Sequence, residues 1–173
     1  TRISFVKTER DGYSSNIVNG QDLDDANNFS LRGDLLFDIN ENSSLRFFGQ
    51  YFEVDRNGSA MRGIDDTNAN IRNLSQDTLS KHELTSSVLA AIYETDLGFA
   101  TLKAMASIQE DDILVVRDND RHNFGDPVLS IPGLGSDAVY QRAEFNPETS
   151  IVDTTTFEIN LISNEPILNG KLD

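Results

Sequence analysis

From Asn28 to Asp55 the chain reads NFSLRGDLLFDINENSSLRFFGQYFEVD, two stretches in which apolar and polar residues alternate across a short polar turn. Phe29, Leu31, Gly33, Leu35, Phe37 and Ile39 share one parity, and Ser30, Arg32, Asp34 and Asp38 share the other. A period of two is the mark of a strand whose two faces meet different surroundings. In the second stretch Leu45, Phe47, Gly49 and Tyr51 alternate with Arg46, Phe48, Gln50 and Phe52, so two aromatics fall on the polar parity. The same period returns in HELTSSVLAAIYETD, where Leu84, Val88, Ala90 and Ile92 oppose Glu83, Thr85, Ser87 and Thr95. It returns in FATLKAMASIQED, with Ala100, Leu102, Ala104, Ala106 and Ile108 against Thr101, Lys103, Ser107 and Gln109. TTFEINLIS sets Phe157, Ile159 and Leu161 against Glu158 and Asn160, and TRISFVKT sets Ile3 and Phe5 against Arg2 and Ser4. A helical period fits none of these segments.

The connections fall into two sizes. Short ones lie at about 40–43, 96–98 and 164–170, each with Asn, Asp, Gly or Pro to form the turn. Long ones run over about 12–27, 56–80 and 112–154, well beyond the usual loop of about 4–6 residues. Short and long alternate strictly, so antiparallel strands would gather all turns at one end and all loops at the other. Outer-membrane barrels sort their connections in this way. The pattern therefore predicts an all-β fold, an antiparallel up-and-down transmembrane β-barrel segment of about six to seven strands spanning residues 1–173.

On that reading one parity meets lipid: Phe29, Leu31, Leu35, Phe37, Val88, Ala90, Ile92, Leu102, Ala104, Ile159 and Leu161. The other faces a wetted lumen: Arg32, Asp34, Arg46, Gln50, Glu83, Lys103, Gln109, Glu158 and Asn160, either lining a solute path or simply hydrating the lumen and pairing across strands. Phe29, Tyr51, Tyr93 and Phe99 lie near strand ends, where aromatic girdles form, although Tyr93 sits on the polar parity.

Composition narrows the partners. The chain has 29 acidic and 14 basic residues, a formal charge of −15, which argues against a nucleic-acid partner because phosphate binding needs a cationic face. With no cysteine there is neither a disulfide framework nor a thiolate metal site. No run approaches the roughly 18 apolar residues of a spanning helix, although strands cross membranes with far fewer. The lack of an initiating Met, and an alternating pattern that resumes in the final GKLD, lead us to expect a piece of something larger.

The segment RDGYSSNIVNGQDLDDANNFSLRGDLLFDINENSSLRFFGQYFEVDRNGS resembles the early barrel of TonB-dependent outer-membrane receptors, and TTFEINLISNEPILNGKLD is similar to a strand, turn and strand of the same family. The resemblance implies a barrel of about 22 strands in the bacterial outer membrane, closed by a plug and importing a scarce nutrient such as a ferric siderophore with energy relayed by TonB. It implies as partners outer-membrane lipid, the plug and remaining strands of the whole receptor, TonB, and a nutrient ligand at the loops. No plug or TonB box is present in the chain, so no gating residue is assigned.

Catalytic chemistry finds little footing. His82 and His122 are the only histidines and have no neighbour at ligand spacing, so both are expected to be solvated loop residues. Acidic clusters occur at Asp22, Asp24 and Asp25, at Asp65 and Asp66, at Glu110, Asp111 and Asp112, and at Asp118 and Asp120. Asp118, Asp120, Asn123 and Asp126 approach a calcium-loop spacing but lack its glycine and terminal glutamate. Gly133 and Gly135 have no phosphate-loop context, and Ser130 and Ser136 have no nucleophile elbow. We expect no enzyme, cofactor or metal. The alternatives are a soluble extracellular β-sandwich binding or adhesion module and, more weakly, a hydrolase using Glu83 and Glu158.

Overall fold

A computed structural model describes residues 1–63, 66–119, 121, 123 and 145–164. Nine strands lie among them: β1 (Arg2–Arg10), β2 (Ser14–Asn16), β3 (Asp22–Leu23), β4 (Ala26–Asn40), β5 (Ser43–Arg56), β6 (Asn73–Leu74), β7 (Lys81–Asp96), β8 (Ala100–Asp118) and β9 (Phe145–Ser163). Six form one antiparallel sheet in the order β1-β4-β5-β7-β8-β9. The other three form a small mixed sheet in the order β3-β2-β6.

In the large sheet the turn after β4 is the two residues Glu41 and Asn42, and the turn after β7 is Leu97 to Phe99. Both turns sit at the same end, where Asp96 donates its backbone N–H to Asn42 O at 2.8 Å. Gly98 adopts φ 86°, a conformation that costs glycine little, and its N–H bonds the Asp96 carboxylate at 2.8 Å. The Asn164 amide, just after β9, binds Asp96 Oδ1 and Gly98 O, each at 3.0 Å, and so fastens β9 to that turn.

Register assigns every side chain to a face. Gly33 stands opposite Gly49, which stands opposite Leu89, which stands opposite Ile108. That row places Phe29, Leu31, Leu35 and Phe37 on one apolar face with Leu102, Ala104, Ile159 and Leu161. Phe29 tilts against Tyr51 with ring centroids 6.3 Å apart, and Phe37 meets Phe47 edge-on at 6.1 Å. Arg32, Asp34, Arg46, Gln50, Lys103, Gln109, Glu158 and Asn160 share the opposite, polar face.

Five expectations are corrected here. Val88, Ala90 and Ile92 lie on the polar face, opposite Gln50, Phe48 and Arg46, whereas Glu83 lies on the apolar side, opposite Asp55 and Leu114. Between Val88 and Tyr93 both parities of β7 are apolar, so alternation alone does not choose a face; pairing with β5 does. Tyr93 consequently belongs to the apolar face, opposite Leu45 and Ala104.

The architecture itself is also corrected. The large sheet is open: β1 and β9 are its edges, each paired on one side only, and they do not pair with each other. The described residues thus form two separate sheets, neither closed into a barrel, in place of the expected transmembrane barrel segment. No helix among them is long and apolar enough to cross a membrane. The two sheets that a sandwich requires are present, but no strand of one packs along a strand of the other.

The small sheet caps the loop end of the large one. Leu23 and Leu74, at 0% and 1% exposure, are buried there, whereas Phe157, Ile159 and Ile3 on the apolar face are 80%, 75% and 73% exposed. The dry centre of the described chain is therefore in the cap, and no other described strand packs on the apolar face of the large sheet.

Candidate functional site

The cap is knitted by side-chain amides. Asn16, fully buried, donates to Gln76 O at 2.9 Å and accepts from Val18 N at 3.2 Å and Gln76 N at 3.1 Å. Gln21 grips both backbone groups of Ser80, donating to its O at 2.7 Å and accepting from its N at 2.9 Å. Gln76 Nε2 reaches Met61 O at 2.7 Å. Short strands of two or three residues have too few ladder bonds to hold alone, and these amides satisfy backbone groups of Val18, Met61, Gln76 and Ser80 around them.

Asp24 joins cap and sheet. It takes a φ of 62°, which Asp tolerates better than most residues. Its carboxylate accepts from Ser14 Oγ at 2.6 Å and Ala60 N at 3.0 Å, while its backbone O accepts from Arg10 at 2.6 Å. The acidic cluster of Asp22, Asp24 and Asp25 is therefore partly structural. The guanidinium groups of Arg72 and Arg10 lie over the Tyr13 ring, at 4.6 and 5.1 Å from its centroid, a cation–π arrangement at the cap edge.

Where cap meets sheet lies a polar pocket of about 290 Å³. Gly58, Met61, Gln76 and Ser80 supply its cap wall, and Arg56, His82, Arg117 and Asp118 its sheet wall. A Cβ at Gly58 would come within 2.7 Å of Ser80 Cβ, so glycine permits the close approach that shapes this wall. Arg56 Nη2 is 3.1 Å from His82 Nδ1. Burial, with the nearby Arg56 and Arg117 charges, holds the His82 pKa below the ordinary imidazole value, so its neutral ring accepts this hydrogen bond through Nδ1. Asp118 is buried and accepts from Thr78 N at 3.3 Å and Arg121 N at 2.6 Å.

A second candidate is a trough on the apolar face. The facing glycines Gly33 and Gly49 leave hollows of about 540 Å³, against Leu35, Phe47, Leu89 and Phe157, and about 420 Å³, against Ile3, Leu31 and Tyr51. The larger hollow has no ionisable residue in its lining, and in the smaller one Arg32 is turned to the Phe48 ring and Tyr51 donates to Glu53, so the trough offers mainly apolar area.

The expected polar residues pair locally. Asp34 binds Arg46, whose guanidinium holds the Asp34 carboxyl below the usual aspartate range, and the pair leaves the Arg46 charge correspondingly favoured. Arg32 covers the Phe48 ring at 4.6 Å, which explains an aromatic on the polar parity. Lys103 lies 3.8 Å from Glu94, Gln109 binds Asp111 at 2.7 Å, and Asn160 binds Glu158 at 2.6 Å. Gln50 stands opposite Arg32 on one side and Val88 on the other. Glu83 pairs with Lys81 and lies on the face opposite Glu158, so these two carboxylates do not converge.

His82 is the residue that reading the sequence undervalues. In place of the expected solvated loop residue, it is half-buried at a pocket wall; its spacing from Arg56 and Arg117 carries no signal, because only cross-strand register unites them. Among the described residues no cluster of three His, Asp or Glu is arranged to hold a metal. His122, Asp65, Asp120, Asp126, Ser130, Ser136, Gly133 and Gly135 lie outside the described residues.

Comparison with protein-family models, curated proteins and solved structures gives no match. With an open sheet and no family match, the expected membership of the TonB-dependent receptors is withdrawn, and with it outer-membrane lipid, plug, TonB and siderophore as partners and the outer membrane as location.

Proposed function

We propose that the chain is a non-catalytic binding or adhesion module whose capped loop end is the recognition surface. The observation that supports this is the cap itself: connections that would cost entropy to order on binding are already ordered by Asn16, Gln21 and Gln76, and such preorganisation raises affinity. A pocket with convergent polar groups lies directly beneath it. Catalysis has no comparable support, since Glu83 and Glu158 point to different faces.

The test is binding of the labelled chain to an array of glycans and extracellular proteins, beside an Asn16→Ala, Gln21→Ala variant. The expected result is capture by at least one class of array member, lost in the variant while its far-ultraviolet β-signature persists. A chain that binds nothing, or that binds equally well with its cap loosened, overturns the proposal.

A further inference from the structure

Acidic residues outnumber basic ones 29 to 14, so cations left without acidic partners stand against the composition. Among the described residues Arg56 and Arg117 are such a pair. Neither forms an ion pair among the described residues, whereas Lys81, on the same pocket wall, is taken by Glu83. Arg56 and His82 stand opposite each other on the polar face, with Val115 next in the row and Arg117 two residues beyond it. The Arg56 hydrogen bond to His82 Nδ1 uses Nη2, and among the described residues Nε and Nη1 of its fork have no acceptor.

We propose that this pocket binds a small monocarboxylate, with Arg56 and Arg117 receiving the carboxylate and His82 positioning Arg56. The inference rests on the reading of the loop end as a binding surface. A planar carboxylate matches the guanidinium fork. The pocket, at about 290 Å³, has room for one small molecule, near the lower limit of ordinary ligand sites. By the same proposal the Asp118 carboxylate, buried in this wall and accepting from Thr78 N and Arg121 N, disfavours a doubly charged ligand, so that the site takes a monoanion in preference to divalent phosphate.

Sodium galacturonate is the probe, titrated against the ¹⁵N-labelled chain at constant ionic strength, with galactose and inorganic phosphate in parallel. The expected result is a saturable millimolar shift of the His82 ring resonances by galacturonate, with at least tenfold weaker binding of phosphate and no response to galactose. R56Q and R117Q should each weaken binding at least tenfold. R117K, which keeps the charge and loses the fork, should fall between them and the parent. K103Q, at the far end of the sheet, should leave binding unchanged. Absence of a saturable shift, equal response to phosphate, or parental binding by R56Q and R117Q together overturns the site. If array capture is cap-dependent while galacturonate gives no shift, the module stands and the carboxylate site falls; if both are absent, both fall.

Discussion

The large sheet and the cap are held together by different means. In the sheet, strands of 9 to 19 residues run side by side in nearly unbroken register, and each ladder bond contributes a net of about 0.5–1.5 kcal/mol without any need for a buried side chain. In the cap, strands of two or three residues depend on Leu23 and Leu74, which exclude water, and on Asn16, which answers three backbone groups. The contrast teaches that regularity and burial are separate properties here. The irregular part of the chain is the part with an interior.

That contrast can be broken most sharply at Leu74. Leu74→Ala should remove about 2–5 kcal/mol from the cap, seen as loss of amide-exchange protection at Asn16, Ile17 and Gln76 while β5, β7 and β8 keep theirs. Equal loss in both regions would show one cooperative unit. Asn16→Ala follows, at about 1–3 kcal/mol for the buried partners it leaves unsatisfied, with the same localisation in exchange. A smaller effect concerns pH. The folded state holds the His82 pKa below the ordinary 6.5, so the unfolded chain binds the proton first as pH falls. Stability from this group is complete above about pH 6.5 and declines as pH drops towards the folded value. Melting temperatures of the His82→Gln variant, followed across that pH range, should lose that part of the slope. At the smallest end, Phe157→Ser, on the open face, should change unfolding free energy by no more than about 0.5 kcal/mol, yet reduce binding of a fluorescent apolar dye. A large loss of stability there would mean the face is packed.

Much of the large sheet was legible. Alternation located β4, β5 and β8, because each has one apolar and one polar parity to be told apart. It failed in β7, where Val88 to Tyr93 is apolar on both sides and the neighbouring strand fixes the face. It also suggested closure for a reason that does not hold. Any antiparallel meander sends alternate connections to opposite ends, whatever their lengths, so sorted loops say nothing about whether β1 meets β9. The cap was illegible because two-residue strands have no periodicity, and their stability comes from contacts such as Asn16 with Gln76, 60 residues apart. The pocket was illegible for the same reason: Arg56, His82 and Arg117 are adjacent only after pairing.

The glycine notch has a practical corollary. A Cβ at Gly33 would meet nothing within 4 Å, whereas one at Gly49 would press on Leu89 at 3.2 Å. Since the sequence contains no cysteine, a single thiol at position 33 would be the molecule's sole handle for a spin label or fluorophore. It would report, by quenching or broadening, whatever comes to rest on that bare surface.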